Sequence, residues 1–456
     1  MALKFTRVFA DNEVISSGSY SFHRLVKLAS TPGLKYSKSA DGTYGICEGP
    51  DTDVVLTGEV IIADAANGVL ITKIDGFHNC VYITGVTVPD SAEALLANSF
   101  KNCYKLEKVN IAENSPLKHI GNSVFSGCDK LTNINIPDTL KSIGTYAFYG
   151  CESLTNINIP EGVTVISDGV FKDCNNLILD KLPNKITSIG SEAFSGCVGI
   201  IMSELPDTVV SIGSNAFLDC TNLALNKLPS SVTSIGDYAF KNCSNITVNE
   251  IPAGVTSLEN SVFEGCSSIT NIEILDGVTR VGCNAFANCT SLKNIVISNS
   301  VTEICVCLHG CNNIESITVP SLAFTYSFAS DDGAGGTTSL TVTSTTLRML
   351  FAFQYTDGDG YDTQDVPQSL KTVILSKSVE TLHDNAFYRC ASVENITIPG
   401  GLSTIGSSAF SGCTSLKNIT FGGTVAEWNA ITKDSNWKKN VPTTAQVICT
   451  DGTIPI

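Results

Sequence analysis

Eighteen cysteines and five histidines are the residues of this 456-residue chain best equipped for chemistry. A thiolate is a nucleophile and a soft metal ligand, and an imidazole takes up and releases protons near neutral pH. The histidines, His23, His78, His119, His309 and His383, are scattered, so local sequence holds none of them beside a nucleophile. No G-x-S-x-G, no Walker loop and no GxGxxG after a strand occurs. No catalytic residue is assigned, and the chain reads as non-enzymatic. The densest ligand-like cluster is Cys305, Cys307, His309 and Cys311, with Cys283 upstream. Its two-residue steps miss the paired C-x(2-4)-C spacing of structural zinc sites, so no metal ligand is assigned. A disulfide from Cys283 to Cys305 or to Cys307 is the lesser alternative to free thiols there.

Two acidic loops are the other candidates. Asp331-Asp332-Gly333-Ala334-Gly335-Gly336 and Asp357-Gly358-Asp359-Gly360-Tyr361-Asp362, with Asp365 beyond, gather six carboxylates. The second departs from a calcium EF-hand, which wants Asp or Asn fifth, Gly sixth and Glu twelfth where this chain has Tyr361, Asp362 and Gln368. No cofactor is expected, with a looser calcium site at these loops as the weak exception, since flexible loops rich in carboxylates and carbonyls suit Ca²⁺. A basic protein partner is the other ligand such loops attract, with binding weakened by salt.

Such loops must be held by a scaffold, and the spacing of the cysteines describes it. Thirteen fall in one register from Cys80 through Cys103, Cys128 and Cys151 to Cys311, Cys390 and Cys413. Nearly every step is 23 residues, with a gap of 79 before Cys390, and in twelve cases phenylalanine stands three residues earlier. In Leu154-Thr-Asn-Ile157-Asn-Ile159-Pro160 the alternating isoleucines mark a strand with one buried face, which the proline ends. One such coil cannot bury its face alone, whereas stacked coils about 4.8 Å apart can. A period of this length with leucines and isoleucines at set places is a leucine-rich repeat. The fold class expected is a leucine-rich-repeat solenoid, β-rich with short return turns, a right-handed curved array of about fifteen 23-residue coils. The register thiols read as small buried hydrophobes beside the phenylalanine, inert because apolar burial raises the thiol pKa.

The domain plan follows from where the pattern starts and stops. Residues 1–33 are an unassigned extension, 34–79 an N-terminal β cap, 80–422 the solenoid and 423–456 a C-terminal cap holding both tryptophans. Inserted loops fall near 325–337 and 354–367, and strand starts at Ile314, Leu340, Leu370 and Val393 carry the array through the gap, putting the loops on neighbouring coils. Around 177–252 a second form of the repeat, as in Leu177-Ile-Leu179-Asp-Lys-Leu182-Pro183, moves the second apolar residue one place earlier, so the sheet should twist or change width there.

These residues resemble the BspA-like, Treponema-type leucine-rich repeats. The unit Leu131-Thr-Asn-Ile134-Asn-Ile136-Pro137, the return Ile143-Gly144-Thr-Tyr-Ala147-Phe148-Tyr-Gly-Cys151 and the closing Gly423-Thr424-Val425-Ala426-Glu427-Trp428 carry the resemblance over residues 34–456. It implies a surface or secreted protein that adheres to host proteins and cells. The chain shows no export signal or wall anchor, which leaves a cytosolic interaction scaffold as the alternative. A formal charge of −16 repels nucleic acid, and no apolar run is long enough for membrane insertion. The partner expected is a protein. Beside the acidic-loop residues, the outward strand positions Asn133, Asn156, Asn271, Glu273 and Asn294 are contact candidates, although stacked asparagines also form structural ladders.

Overall fold

The computed structural model describes residues 30–322, 324–331, 337–344, 346–351, 366–377 and 379–456, with 324–331 and 337–344 described as backbone. It is the expected solenoid. Most coils contribute one strand to a main sheet and a short strand, usually of two residues, to a return sheet, and neighbouring coils pair in parallel and in register, as Ile134 with Ile157 and Ile189 with Ile212. A single buried cluster of the inward Leu, Ile, Val, Phe and Cys residues runs the length of the array. The N-terminal end opens with an antiparallel pair, Leu34–Lys38 on Gly45–Pro50. The C-terminal end closes with the helix Val425–Ala430, capped reciprocally by Thr424 and Glu427, and the hairpin Gln446–Cys449 with Gly452–Pro455.

The conserved-looking turn before each cysteine has a geometric cause. The residue preceding the cysteine takes a positive φ, as at Asn102, Gly127, Asp173 and Gly196, and so does the residue two before the phenylalanine, as at Ser123 and Asn215. Gly, Asn and Asp tolerate this left-handed conformation best. Between these turns the phenylalanine rings stack from Phe77 to Phe286 with centroids 5.1 to 5.7 Å apart. The choice of cysteine follows from the same turn. The Phe125 carbonyl accepts the Cys128 amide at 3.0 Å and, from the next coil, the Cys151 thiol at 3.2 Å. A small apolar side chain with a weak donor fits that second role, which valine or alanine cannot fill.

The shifted repeat does change the sheet. Five main-sheet strands end at Asn156–Ile157, and among the described residues regular pairing resumes at Glu250–Ile251, with the bridge Leu179 to Ile200 in between. The return sheet carries the array through this interval as Val165–Ile166, Ser188–Ile189, Ser211–Ile212 and Ser234–Ile235. Bringing the second apolar residue forward leaves Asp180 and Lys181 looped out on the main face, where the strand would have run.

One expectation needs correction. Leu340 does not start a main-sheet strand. Ser316–Val319 pairs directly with Thr372–Leu375, so the coil of Ile314 lies against that of Leu370. Phe324–Asp331 and Thr337–Ser344 instead form an antiparallel hairpin, joined to the return sheet where Thr325 meets Glu303. The alternating Leu340-Thr-Val342 pattern is real strand, but its partner is the other arm of the hairpin. Both inserted segments therefore belong to one excursion from a single coil. A buried 3-10 turn, Leu347–Phe351, returns to the stack in its midst: the Leu308 amide donates to the Leu350 carbonyl at 2.8 Å and the Leu347 amide to the Ala386 carbonyl at 3.0 Å.

Candidate binding surface

The chemistry-bearing residues divide into an inert interior and three outward surfaces. In the interior, eleven register thiols donate to a phenylalanine carbonyl of the preceding coil at 2.9 to 3.2 Å. Burial pushes Cys103, Cys197, Cys311 and Cys413 up to about 12, against 9.0 for an unburied thiol. A thiol whose folded pKa is raised adds stability that is fully present below about pH 9 and is lost as pH rises through the folded value. Unfolding temperature should therefore hold to about pH 9 and fall steeply between there and pH 12, followed by circular dichroism. Alkylation of the native protein at pH 8 should mark half-buried Cys80 first and leave the buried register thiols unmodified for hours, while denaturation should expose all sixteen free thiols.

The other two cysteines are oxidised. Cys283 and Cys305 form a disulfide across neighbouring return turns, with Cα atoms 4.7 Å apart, whereas Cys307 is a buried free thiol. The sequence leaves a bond from Cys283 to either Cys305 or Cys307 open as the lesser alternative, and the partner is Cys305. The signal that separates them is register: Val281 pairs with Ile304, so Cys305 faces Gly282 and lies one place diagonal to Cys283 on the adjacent coil, while Cys307 is fully buried.

The first outward surface is the main-sheet face. Asn133 lies beside Asn156, and Asn271 beside Asn294, whose side-chain amide donates to Asn271 Oδ1 at 2.7 Å. The same bond recurs from Asn418 to Asn395 at 2.9 Å. Glu273 lies between Glu250 and Val296. The two asparagine pairs are parted by the coils of the interrupted sheet, so the five strand candidates do not form one site. Next to them runs a column absent from the candidate set: Lys293, Glu315, Lys371, Glu394 and Lys417, alternating in sign on successive coils. Lys293 meets Glu315 at 3.3 Å, Lys371 meets Glu394 at 3.7 Å, and Lys417 also binds Glu394. These pairs are exposed to solvent, which screens them, so they add little to stability. In the interrupted coils the equivalent positions are apolar, and Ile178 and Ile201 are about half exposed, 57% and 49%.

The second surface is the return face. Val165, Asp168, Ser188, Ser191, Ser211 and Ser234 line an open trough of 480 Å³ floored by Gly190 and Gly213. Further toward the N-terminus His119 Nδ1 and Ser142 Oγ lie 2.9 Å apart, both exposed, a pairing that local sequence does not reveal because 23 residues separate them.

The third is the excursion. Asp331 ends the first hairpin strand opposite Thr337. Asp332, Asp357, Asp359, Tyr361, Asp362 and Asp365 lie outside the described residues, and with them the calcium expectation. What the structure does establish is where their ends lie: Asp331 and Thr337 are paired across the hairpin, and Phe351 and Val366 bound the second segment, with the Leu347–Phe351 turn between the two.

Comparison with known proteins agrees with this architecture. The family model described as "BspA type Leucine rich repeat region" matches in six copies over residues 71–201, 210–330 and 367–435. A leucine-rich repeat protein from Bacteroides ovatus is similar at 24% identity, covering 94% of this chain and 100% of its own, with a TM-score of 0.56. A leucine rich cell surface protein from Faecalibacterium prausnitzii is 24% identical over 89% of this chain and 98% of its own, with a TM-score of 0.42. The pneumococcal vaccine antigen PcpA is 16% identical over 93% and 98%, with a TM-score of 0.45. At these identities the first supports the fold alone. No curated protein matches significantly.

Proposed function

Since the chain belongs to the BspA-type leucine-rich-repeat family, we propose that it is a non-enzymatic, protein-binding solenoid, displayed on or released from the cell surface, where it contacts host or cell-surface proteins through the excursion. The observation that carries this reading is the closure of the stack beneath the excursion. Because Ser316–Val319 pairs with Thr372–Leu375, the hairpin and both acidic loops contribute no main-sheet strand and are free to serve recognition, as loops on rigid scaffolds usually do. Where the main sheet is regular, its face carries asparagine and Lys–Glu pairs bonded from coil to coil.

An oxidising location is supported by the Cys283–Cys305 disulfide, since such bonds persist outside the reducing cytosol. The sixteen free cysteines favour the second reading, a cytosolic interaction scaffold, yet their burial protects them in either place. Biotinylation of intact source cells with a membrane-impermeant reagent, followed by capture of the labelled chain, tests the location. Labelling comparable to a known surface protein supports display, and labelling only after lysis supports the scaffold. Among the described residues no helix is long and apolar enough to cross a membrane.

A further inference from the structure

Cys305 occupies a place that is glycine in many coils. Gly282 follows Val281, and Gly406 follows Ile405, just as Cys305 follows Ile304 on its return strand. The glycines are there because coils approach closely: a Cβ at Gly282 would lie 2.8 Å from the Glu259 carbonyl carbon, and one at Gly406 2.7 Å from the Asp384 nitrogen. At Cys305 a side chain is present instead, and it is bonded to Cys283 of the coil before. Cys305 is 6% exposed while Cys283 is partly open to solvent, so a small reagent has a way in from one side.

The coil fastened in this way is the one on which the excursion's own coil stacks. Its return strand, Glu303–Ile304, meets the hairpin base at Thr325. Met349, buried in the Leu347–Phe351 turn, packs on Cys305. Leu308, three residues on, holds that turn through the Leu350 carbonyl. This coil also has leucine, Leu308, where the others carry the stacking phenylalanine, so it has less aromatic surface of its own to hold it.

We propose that the Cys283–Cys305 disulfide is a redox-sensitive fastener for the excursion, and that its reduction loosens the return turn around 303–308, the Leu347–Phe351 turn and the hairpin base while the rest of the array stays closed. The reductant is a small dithiol. It gives up two electrons and two protons and closes to its own cyclic disulfide, and Cys283 and Cys305 each become a thiol. The opening is local because the coils up to Phe286 and those from Phe387 onward have ring stacks of their own, and solenoid stability is a sum of nearest-neighbour terms. The proposal does not depend on what the excursion binds.

Hydrogen exchange of the full chain, read by mass spectrometry with and without dithiothreitol, is the test. The expected result is exchange at least tenfold faster over 303–308 and 347–351 after reduction, with 188–235 unchanged. A Cys283→Ala/Cys305→Ala variant should reproduce this without reductant, and the wild-type comparison stands by itself if that variant does not fold. Unchanged exchange in both segments, acceleration spread evenly over the array, or eighteen titratable thiols in denatured, unreduced protein would each overturn it.

Discussion

Replacing Phe217 by alanine should cost the array about 3–5 kcal/mol, the usual range for emptying an aromatic site in a core that cannot collapse. The ring is fully buried and stacks at 5.3 Å on Phe194 and 5.4 Å on Phe240. It lies where the main sheet is interrupted, so the return sheet and the ring stack are what hold those coils together. Phe217→Leu should cost less, because Leu308 fills the same column in a natural coil. A repeat array need not unfold in one step. The measurement is therefore the protection of the Phe217 and Asn215 amides, which donate to Ala239 and Asp237. Loss of their slow exchange, with protection kept near Ile120 and Ile396, is the expected pattern. Protection equal to wild type would contradict a load shared through the rings.

The second large effect is expected at Gly213. Its amide donates to the Ile189 carbonyl at 2.8 Å, and a Cβ there would stand 2.4 Å from the Ser191 nitrogen and 2.6 Å from the Gly190 carbonyl carbon. Those are backbone atoms of the coil below, so relief requires two coils to separate rather than a side chain to turn. Gly213→Ala should destabilise by about 1–3 kcal/mol, the range for overpacking, and should widen the trough along Ser188 and Ser211. Urea unfolding of this variant beside Ser230→Ala, an exposed position, checks it; equal midpoints would mean that the coils part without cost.

Much of this architecture is legible in the chain, and the exceptions have physical causes. The Phe and Cys register reads directly because each coil repeats one local geometry, with left-handed turns at fixed places. The excursion misleads because period-2 alternation reports a strand and says nothing of its partner. Leu340-Thr-Val342 has the right alternation, yet it pairs antiparallel within a hairpin. A further signal lay in the charges: Lys293, Glu315, Lys371, Glu394 and Lys417 alternate only if the coil of Ile314 touches that of Leu370, as it does. The disulfide was open to a similar reading, since a separation of 22 is one coil. The asparagine candidates read correctly as outward residues, but whether they form a ladder depends on neighbours that only stacking brings together, as at Asn271 and Asn294.

The central claim is that recognition belongs to the excursion and not to the regular faces. Its direct test is a variant in which Asp331–Gly336 and residues 357–365 are replaced by short Gly-Ser links, leaving the Leu347–Phe351 turn seated. Lengthening or shortening such loops changes stability by only about 0.6 kcal/mol per doubling, so melting should be nearly unchanged. Immobilised wild type and variant would be compared for capture of proteins from surface extracts of candidate host cells, at low and at physiological salt. The account predicts a partner retained by the wild type and lost by the variant at equal folding; retention at full strength by the variant would contradict it.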